Sequence, residues 1–189
     1  SNILNAIGTD KRIGNKYLSL GAMFSGPCFP RDNLNFIQFL KKNNVNFSLL
    51  KSTDEINNIQ IHRYLKIFNE EKNKIKKIPT IGLCGLSYKE NTLVQTKSPA
   101  IEILHKLKRK YKIVFYDTNI PENFNSKMFI KDQKLFFNKS DIIFVCYKNH
   151  EFKKLGNYRT TKKKIIIDLW NFINTKSKNI FIKKIGINY

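Results

Sequence analysis

The stretch TIGLCGLSYKENTLVQTKSPAIEILHKLKRKYKIVFYD, residues 80–117, decides the fold. It opens on a short apolar run, TIGLCGL, with the length and composition of a buried strand. A polar loop follows. Next comes SPAIEILHKLKRK, where Ser98 stands at an N-cap and Pro99 at the first helical position, a place where a missing N–H is tolerated. KIVFYD then reads as a second strand. A strand, a helix and a strand in that order form a βαβ unit, whose strands run parallel.

The alternation continues downstream. DQKLFF (132–137) predicts a short helix, DIIFVCY (141–147) a third strand and KKKIIIDLW (162–170) a fourth. Upstream the period changes. DNLNFIQFLKKNNV (32–45) carries Leu34, Ile37 and Leu40 at helical spacing, and STDEINNIQIHRYLKIFNEEKNKI (52–75) does the same with Ile56, Ile59, Leu65 and Phe68. Ser52, Thr53 or Asp54 is expected to cap that second helix, and the basic run before Pro79 to end it. The expected fold is α/β: a helical central segment over residues 1–77, then a Rossmann-like parallel-sheet domain over 78–189.

Composition narrows the function classes. The 189 residues are 41% hydrophobic, ordinary for a folded domain. Three cysteines, Cys28, Cys84 and Cys146, are too few and too scattered for a disulfide framework, and no CxxC or Cys/His spacing suggests zinc, so no metal is expected. A reducing cytoplasm fits. No run approaches the length of a membrane span, and the polar start SNILNAIGTDKR has no signal-peptide core. The net charge of +21 attracts anions, yet it comes from dispersed lysines and no nucleic-acid motif accompanies it. A solvated lysine surface is the simpler reading, and a nucleic-acid partner is not expected.

One residue asks for chemistry. Cys28 sits between Pro27 and Pro30 at the head of an apolar helical pattern. A sulfur there feels the positive end of the helix dipole, which favours the thiolate that nucleophilic chemistry needs. Arg31 adds a cation three residues on, and Asp32, one helical turn from Cys28, is placed to hold a water. Each has a plainer alternative: a small buried thiol at 28, an N-cap at 32, a first-turn proline at 30. The preceding LSLGAMFSGP contains Gly21, Ser25 and Gly26, a loop whose amides can surround an anion. GLCGLSYKEN is no dinucleotide fingerprint, since the third glycine is missing and the helix begins only near Ser98.

These segments carry a resemblance. DKRIGNKYLSLGAMFSGPCFPRDNLNF (10–36) resembles the active-site segment of the UDP-glucose/GDP-mannose dehydrogenase family, roughly DxRIGxxFLxxGxGFGGSCFPKDxLNL. GLSYKENTLVQTKSPAIEIL (85–104), YD (116–117), DIIFVCYKNHEFKKL (141–155) and IIIDLWN (165–171) follow in the family's order. The resemblance implies an NAD-dependent oxidation of a nucleotide-sugar C6 alcohol, UDP-glucose or a similar UDP-sugar, to a carboxylate for polysaccharide biosynthesis. It implies Cys28 as the nucleophile that holds a thiohemiacetal and then a thioester, and Asp32 as the residue assisting the hydrolytic water. It implies substrate contacts from Tyr17, Ser19, Leu20, Gly21, Ala22, Met23, Phe24 and Ser25, from Tyr88 and Lys89, and from Arg12 toward a neighbouring subunit. A homodimer through Ser52–Ile75 is expected with it.

The match also has departures. The family's NAD-binding domain with GxGxxG, and the catalytic lysine and asparagine of its long helix, have no counterpart in these residues, so NAD is expected to be bound mainly elsewhere. The chain is thus expected to be a fragment, a trimmed form or a remnant, inactive alone. Thr96 and Trp170 stand where the family pattern has arginines, Lys97 where it is acidic, and Ser25 and Pro27 alter the loop before the cysteine. A non-catalytic nucleotide-sugar-binding or dimerisation module of the same descent is the alternative.

Overall fold

The computed structural model describes residues 2–16, 18, 21–119 and 127–186. Its centre is a five-stranded parallel sheet, β1 (Ile81–Cys84), β2 (Ile113–Tyr116), β3 (Ile142–Val145), β4 (Lys164–Asp168) and β5 (Ile180–Lys184), in the order β2-β1-β3-β4-β5. The first four are the strands expected from the apolar runs. The fifth is an addition: NIFIKK ends in lysines, and at a sheet edge only part of a strand needs to be apolar.

The helices are α1 (Asn2–Gly8), α2 (Phe29–Lys42), α3 (Ser48–Lys72), α4 (Pro99–Leu107) and α5 (Gln133–Lys139), with a 3₁₀ turn over His150–Gly156. At α4 the capping chemistry is as expected: Ser98 Oγ accepts from the Ile101 amide at 3.2 Å, with Pro99 in the first turn. At α3 it is not. The helix begins at Ser48, before Ser52, Thr53 and Asp54, and its Phe47 N-cap supplies no side-chain bond; instead Asn46 Oδ1 takes the Ser48 amide at 2.8 Å. It also ends at Lys72, ahead of Ile75 and Pro79, in a hydrogen-bonded turn.

Strand alternation sorts the core into two faces. Ile81, Leu83, Phe115, Phe144 and Ile167 meet Tyr64, Ile67 and Phe68 of α3 and Ala100 and Ile103 of α4. Cys84, Tyr116, Ile143 and Val145 meet Phe136 and Phe137 of α5 and Phe152 of the 3₁₀ turn. Helices therefore cover both faces, as the hydrophobic strands of a parallel sheet require. The face that α3 buries differs from the one the spacing suggested. Its second half is the buried part, through Ile61, Tyr64, Ile67 and Phe68, while Ile56 and Ile59 remain 57% and 47% exposed. Among the described residues no helix is long and apolar enough to cross a membrane.

Candidate functional site

In a parallel sheet all the strands end on one side, and ligands collect where the strand order reverses, here between β1 and β3. The segment from Gly21 to Cys28 lies across that edge. Its amides are tied in turn to α3 and to the connection between β1 and α4. Met23 N donates to the Tyr64 hydroxyl of α3 at 2.8 Å, Phe24 N to Asn57 Oδ1 at 2.7 Å, and Gly26 N to the Thr96 carbonyl at 2.9 Å. Asn57 closes the pair by donating Nδ2 to the Phe24 carbonyl at 3.1 Å.

Two glycines let the loop approach. Gly26 has φ +90°, and a Cβ there would lie 2.7 Å from the Tyr88 ring. At Gly21 a Cβ would lie 2.3 Å from the indole of Trp170. Only glycine fits either place without displacing an aromatic ring. Tyr88 follows β1 and Trp170 follows β4, so the loop is seated on side chains just past the strand ends. The Lys89 ammonium stands 5.3 Å over the Tyr88 ring, exposed beside the loop.

Cys28 ends this loop as the N-cap residue of α2. Its thiol is exposed and caps no amide, while its carbonyl accepts from Asp32 N at 2.8 Å. Cys84 and Cys146 are fully buried, and burial pushes both thiols up. That split, one open thiol at a helix start and two inside the sheet, is the one expected from the sequence. Arg31 and Asp32 turn out to bind each other, Nε to Oδ1 at 2.9 Å, both largely exposed. The Arg31 guanidinium is pushed up chiefly by Asp32, with the Cys28 sulfur contributing less.

Of the sequence-predicted residues, the structure gathers Gly21, Ala22, Met23, Phe24, Ser25, Cys28, Tyr88 and Lys89 around one loop. Arg12 stands apart, its side chain 89% exposed and paired with Asp10 at 2.6 Å. Tyr17, Ser19 and Leu20 lie outside the described residues. Two residues that hold the loop, Asn57 and Tyr64, went unsuspected from sequence, as did the pair Asp117 and Tyr147 just past the ends of β2 and β3.

Asp117 directly follows β2, where a dinucleotide domain offers a carboxylate to a ribose. Here that carboxylate is engaged internally: it accepts from Leu86 N at 2.6 Å, Ser87 N at 3.3 Å and Asn119 N at 3.1 Å, and from the Tyr147 hydroxyl. Residues 85–98 also intervene between β1 and α4, so no helix start faces the end of β1. The residues present do not fit NAD. No cluster of three or more His, Cys, Asp or Glu able to hold a metal occurs among the described residues.

Comparison with known proteins matches the same two regions. The central domain of the UDP-glucose/GDP-mannose dehydrogenase family matches residues 1–59, and the family's UDP binding domain matches residues 82–175. A UDP-glucose 6-dehydrogenase of Rickettsia bellii is 31% identical over the whole of this chain and 45% of its own length. The Bacillus subtilis UDP-glucose 6-dehydrogenase YwqF is 35% identical over 53% of this chain and 23% of its own. In fold, a UDP-glucose dehydrogenase of Pyrobaculum islandicum superposes with a TM-score of 0.78 at 23% identity, covering 96% of this chain and 42% of that one. The chain thus spans less than half the length of the curated relatives that match it throughout. It belongs to the UDP-glucose/GDP-mannose dehydrogenase family.

Proposed function

We propose that this chain forms the central and nucleotide-binding part of an NAD-dependent nucleotide-sugar 6-dehydrogenase, which converts the C6 alcohol of UDP-glucose or a similar UDP-sugar to a carboxylate. The observation that carries this reading is the exposed Cys28 thiol at the head of α2, directly after a backbone loop held over the strand ends. Sulfur adds to the carbonyl carbon of the C6 aldehyde and the carbonyl oxygen takes up a proton, giving a thiohemiacetal that cannot diffuse away. The same carbon next loses a hydride to NAD, held by residues other than these, and the hydroxyl loses its proton, leaving a thioester on Cys28. Water then attacks it, the carboxylate leaves and the thiol is restored. Asp32 is the residue nearest in sequence to hold that water, with Arg31 fixing its carboxylate.

The loop amides and Gly21–Ser25 wrap the sugar and uridine in this reading, Tyr88 packs on the nucleotide, and Lys89 meets the diphosphate. Tyr17, Ser19 and Leu20 are assigned to the same contact by position in the family motif. The exposed Arg12 suits a reach toward a second subunit, and a homodimer in the cytoplasm completes the proposal. NAD is assigned to residues other than these. A division near Lys77 separates the two functional parts, although the buried half of α3 packs on the sheet.

A second reading keeps the binding and drops the chemistry. Thr96 and Trp170 replace arginines of the family pattern, and Pro27 removes an amide donor beside the thiol, which favours a nucleotide-sugar-binding module. Iodoacetamide labelling followed by peptide mass spectrometry separates the two. Cys28 is expected to react first, with Cys84 and Cys146 silent until unfolding, and UDP-glucose to slow the reaction. Rapid labelling that no UDP-sugar slows favours a remnant. Three resistant thiols would remove the nucleophile.

A further inference from the structure

Trp170 is the only tryptophan of the chain, and it lies at the carboxyl edge of the sheet, half-buried, rather than in the core. The turn that presents it is built around the fully buried Asp168. That carboxylate accepts from the amides of Trp170 at 3.0 Å, Phe172 at 2.7 Å and Ile173 at 2.7 Å. Asn171 follows in a left-handed conformation, φ +57°, and donates Nδ2 to the Ile185 carbonyl at 2.8 Å. The indole itself is locked, because Nε1 donates to the Cys146 carbonyl at 2.9 Å, just past β3. On its far ring edge sits Gly21, so close that a Cβ would fall 2.3 Å from Cζ3.

The other ties of the loop run to α3 and to the β1–α4 connection, through Tyr64, Asn57 and Thr96. Trp170 is the contact on the β4 side. A ring that a hydrogen bond holds in place cannot yield to a neighbour, so it fixes the level at which the chain enters the loop. We propose that Trp170 is a positioning residue of the nucleotide-sugar site: its indole, anchored to β3 and seated against Gly21, sets where the segment Gly21–Cys28 begins and so where the Cys28 sulfur stands. This rests on the reading of that loop as the nucleotide-sugar site. An indole does by shape what a flexible charged side chain would do by ion contact, and it fixes the loop before any ligand arrives.

The test uses the 189-residue chain with Gly21→Ala, Trp170→Ala and both together, read by the Cys28 labelling rate, UDP-glucose affinity by calorimetry, and melting temperature. Gly21→Ala is expected to weaken UDP-glucose about tenfold and to change the labelling rate by about threefold, with the melt lowered by roughly 2–10 °C, as overpacking against a fixed ring implies. In the Trp170→Ala background the same methyl is expected to have almost no further effect, because the space it needs is open; that non-additivity is the signature of direct contact. Equal effects of Gly21→Ala in both backgrounds would overturn the proposal, as would wild-type affinity and labelling in Gly21→Ala. Should Trp170→Ala not fold, the emission of the lone tryptophan decides: Gly21→Ala is expected to shift it without ligand, and an unmoved spectrum counts against the contact. If the wild-type chain binds no UDP-glucose yet the labelling rates show the coupling, the ligand reading falls and the positioning role stands.

Discussion

At the scale of single residues, the loop depends on a hydroxyl that lies inside the protein. Tyr64 is fully buried, and burial pushes its phenol well up against the opposing pull of the Met23 amide, so it stays neutral and free to accept. Removing that oxygen leaves the buried Met23 amide without a partner, which costs about 1–3 kcal/mol. Tyr64→Phe is therefore expected to lower the melting temperature by roughly 2–10 °C and to alter the Cys28 labelling rate. A variant that melts and labels like wild type would show that Tyr64 does not hold the loop. Such a contact is not readable in the chain, since it joins residues 41 apart and a tyrosine on an apolar stripe looks like ordinary core. Cys28, by contrast, was legible because its environment is local: two prolines, a helix start, and motif residues on either side.

At the scale of elements, what reads well from sequence is again what is local. Ser98 and Pro99 announce α4 because capping needs only the next few amides. The inner strands announce themselves because both their faces are buried, so β1 and β3 are apolar throughout and β4 is apolar between Lys164 and Asp168. Helix α3 misleads because its buried line includes Asn57 and Glu71, polar residues whose partners come from distant elements. Glu71 shows how. It is 4% exposed and takes Lys183 of β5 at 3.1 Å and Lys74 at 2.6 Å, tying α3 to the edge strand. Burial disfavours its charge, but the two lysines outweigh that and hold the carboxyl below the ordinary 4.5. A carboxylate lowered in the folded state stabilises above its unfolded pKa, and the contribution is lost as pH falls through the folded value. With both lysines partly exposed, solvent screening limits the effect to about 1 kcal/mol. Glu71→Gln is expected to melt roughly 2–4 °C below wild type at pH 7, with the gap closing steadily as pH falls below about 4. A gap that persists unchanged into strong acid would mean packing, rather than charge, is what Glu71 supplies.

At the scale of the whole molecule, apolar exposure is strongly one-sided. Phe36 and Phe39 of α2 are 51% and 61% exposed and Leu49, Ile56 and Ile59 of α3 are 79%, 57% and 47% exposed, whereas the sheet, α4 and α5 expose only Phe181 and Leu135, each 43%, among their described large apolar side chains. Aromatic and branched side chains grouped in this way mark a surface that another surface covers. The dimer expected through Ser52–Ile75 must be redrawn accordingly, because Ile61, Tyr64, Ile67 and Phe68 are already buried against the sheet. What α3 has left to offer a second copy is its first half. We therefore expect the 22.3 kDa chain to sediment as a dimer, and Ile56→Asp with Ile59→Asp to sediment as a monomer. Exposed positions tolerate substitution within about 0.5 kcal/mol, so the variant's monomer fold is expected to keep its circular dichroism, and its Cys28 labelling rate is expected to match wild type. The charge works against association, since two copies each carry +21, and salt screens that repulsion; raising the salt is thus expected to strengthen the dimer. Wild type that remains monomeric at high protein concentration and in added salt would leave this face to some other partner and remove the second subunit that Arg12 is proposed to reach.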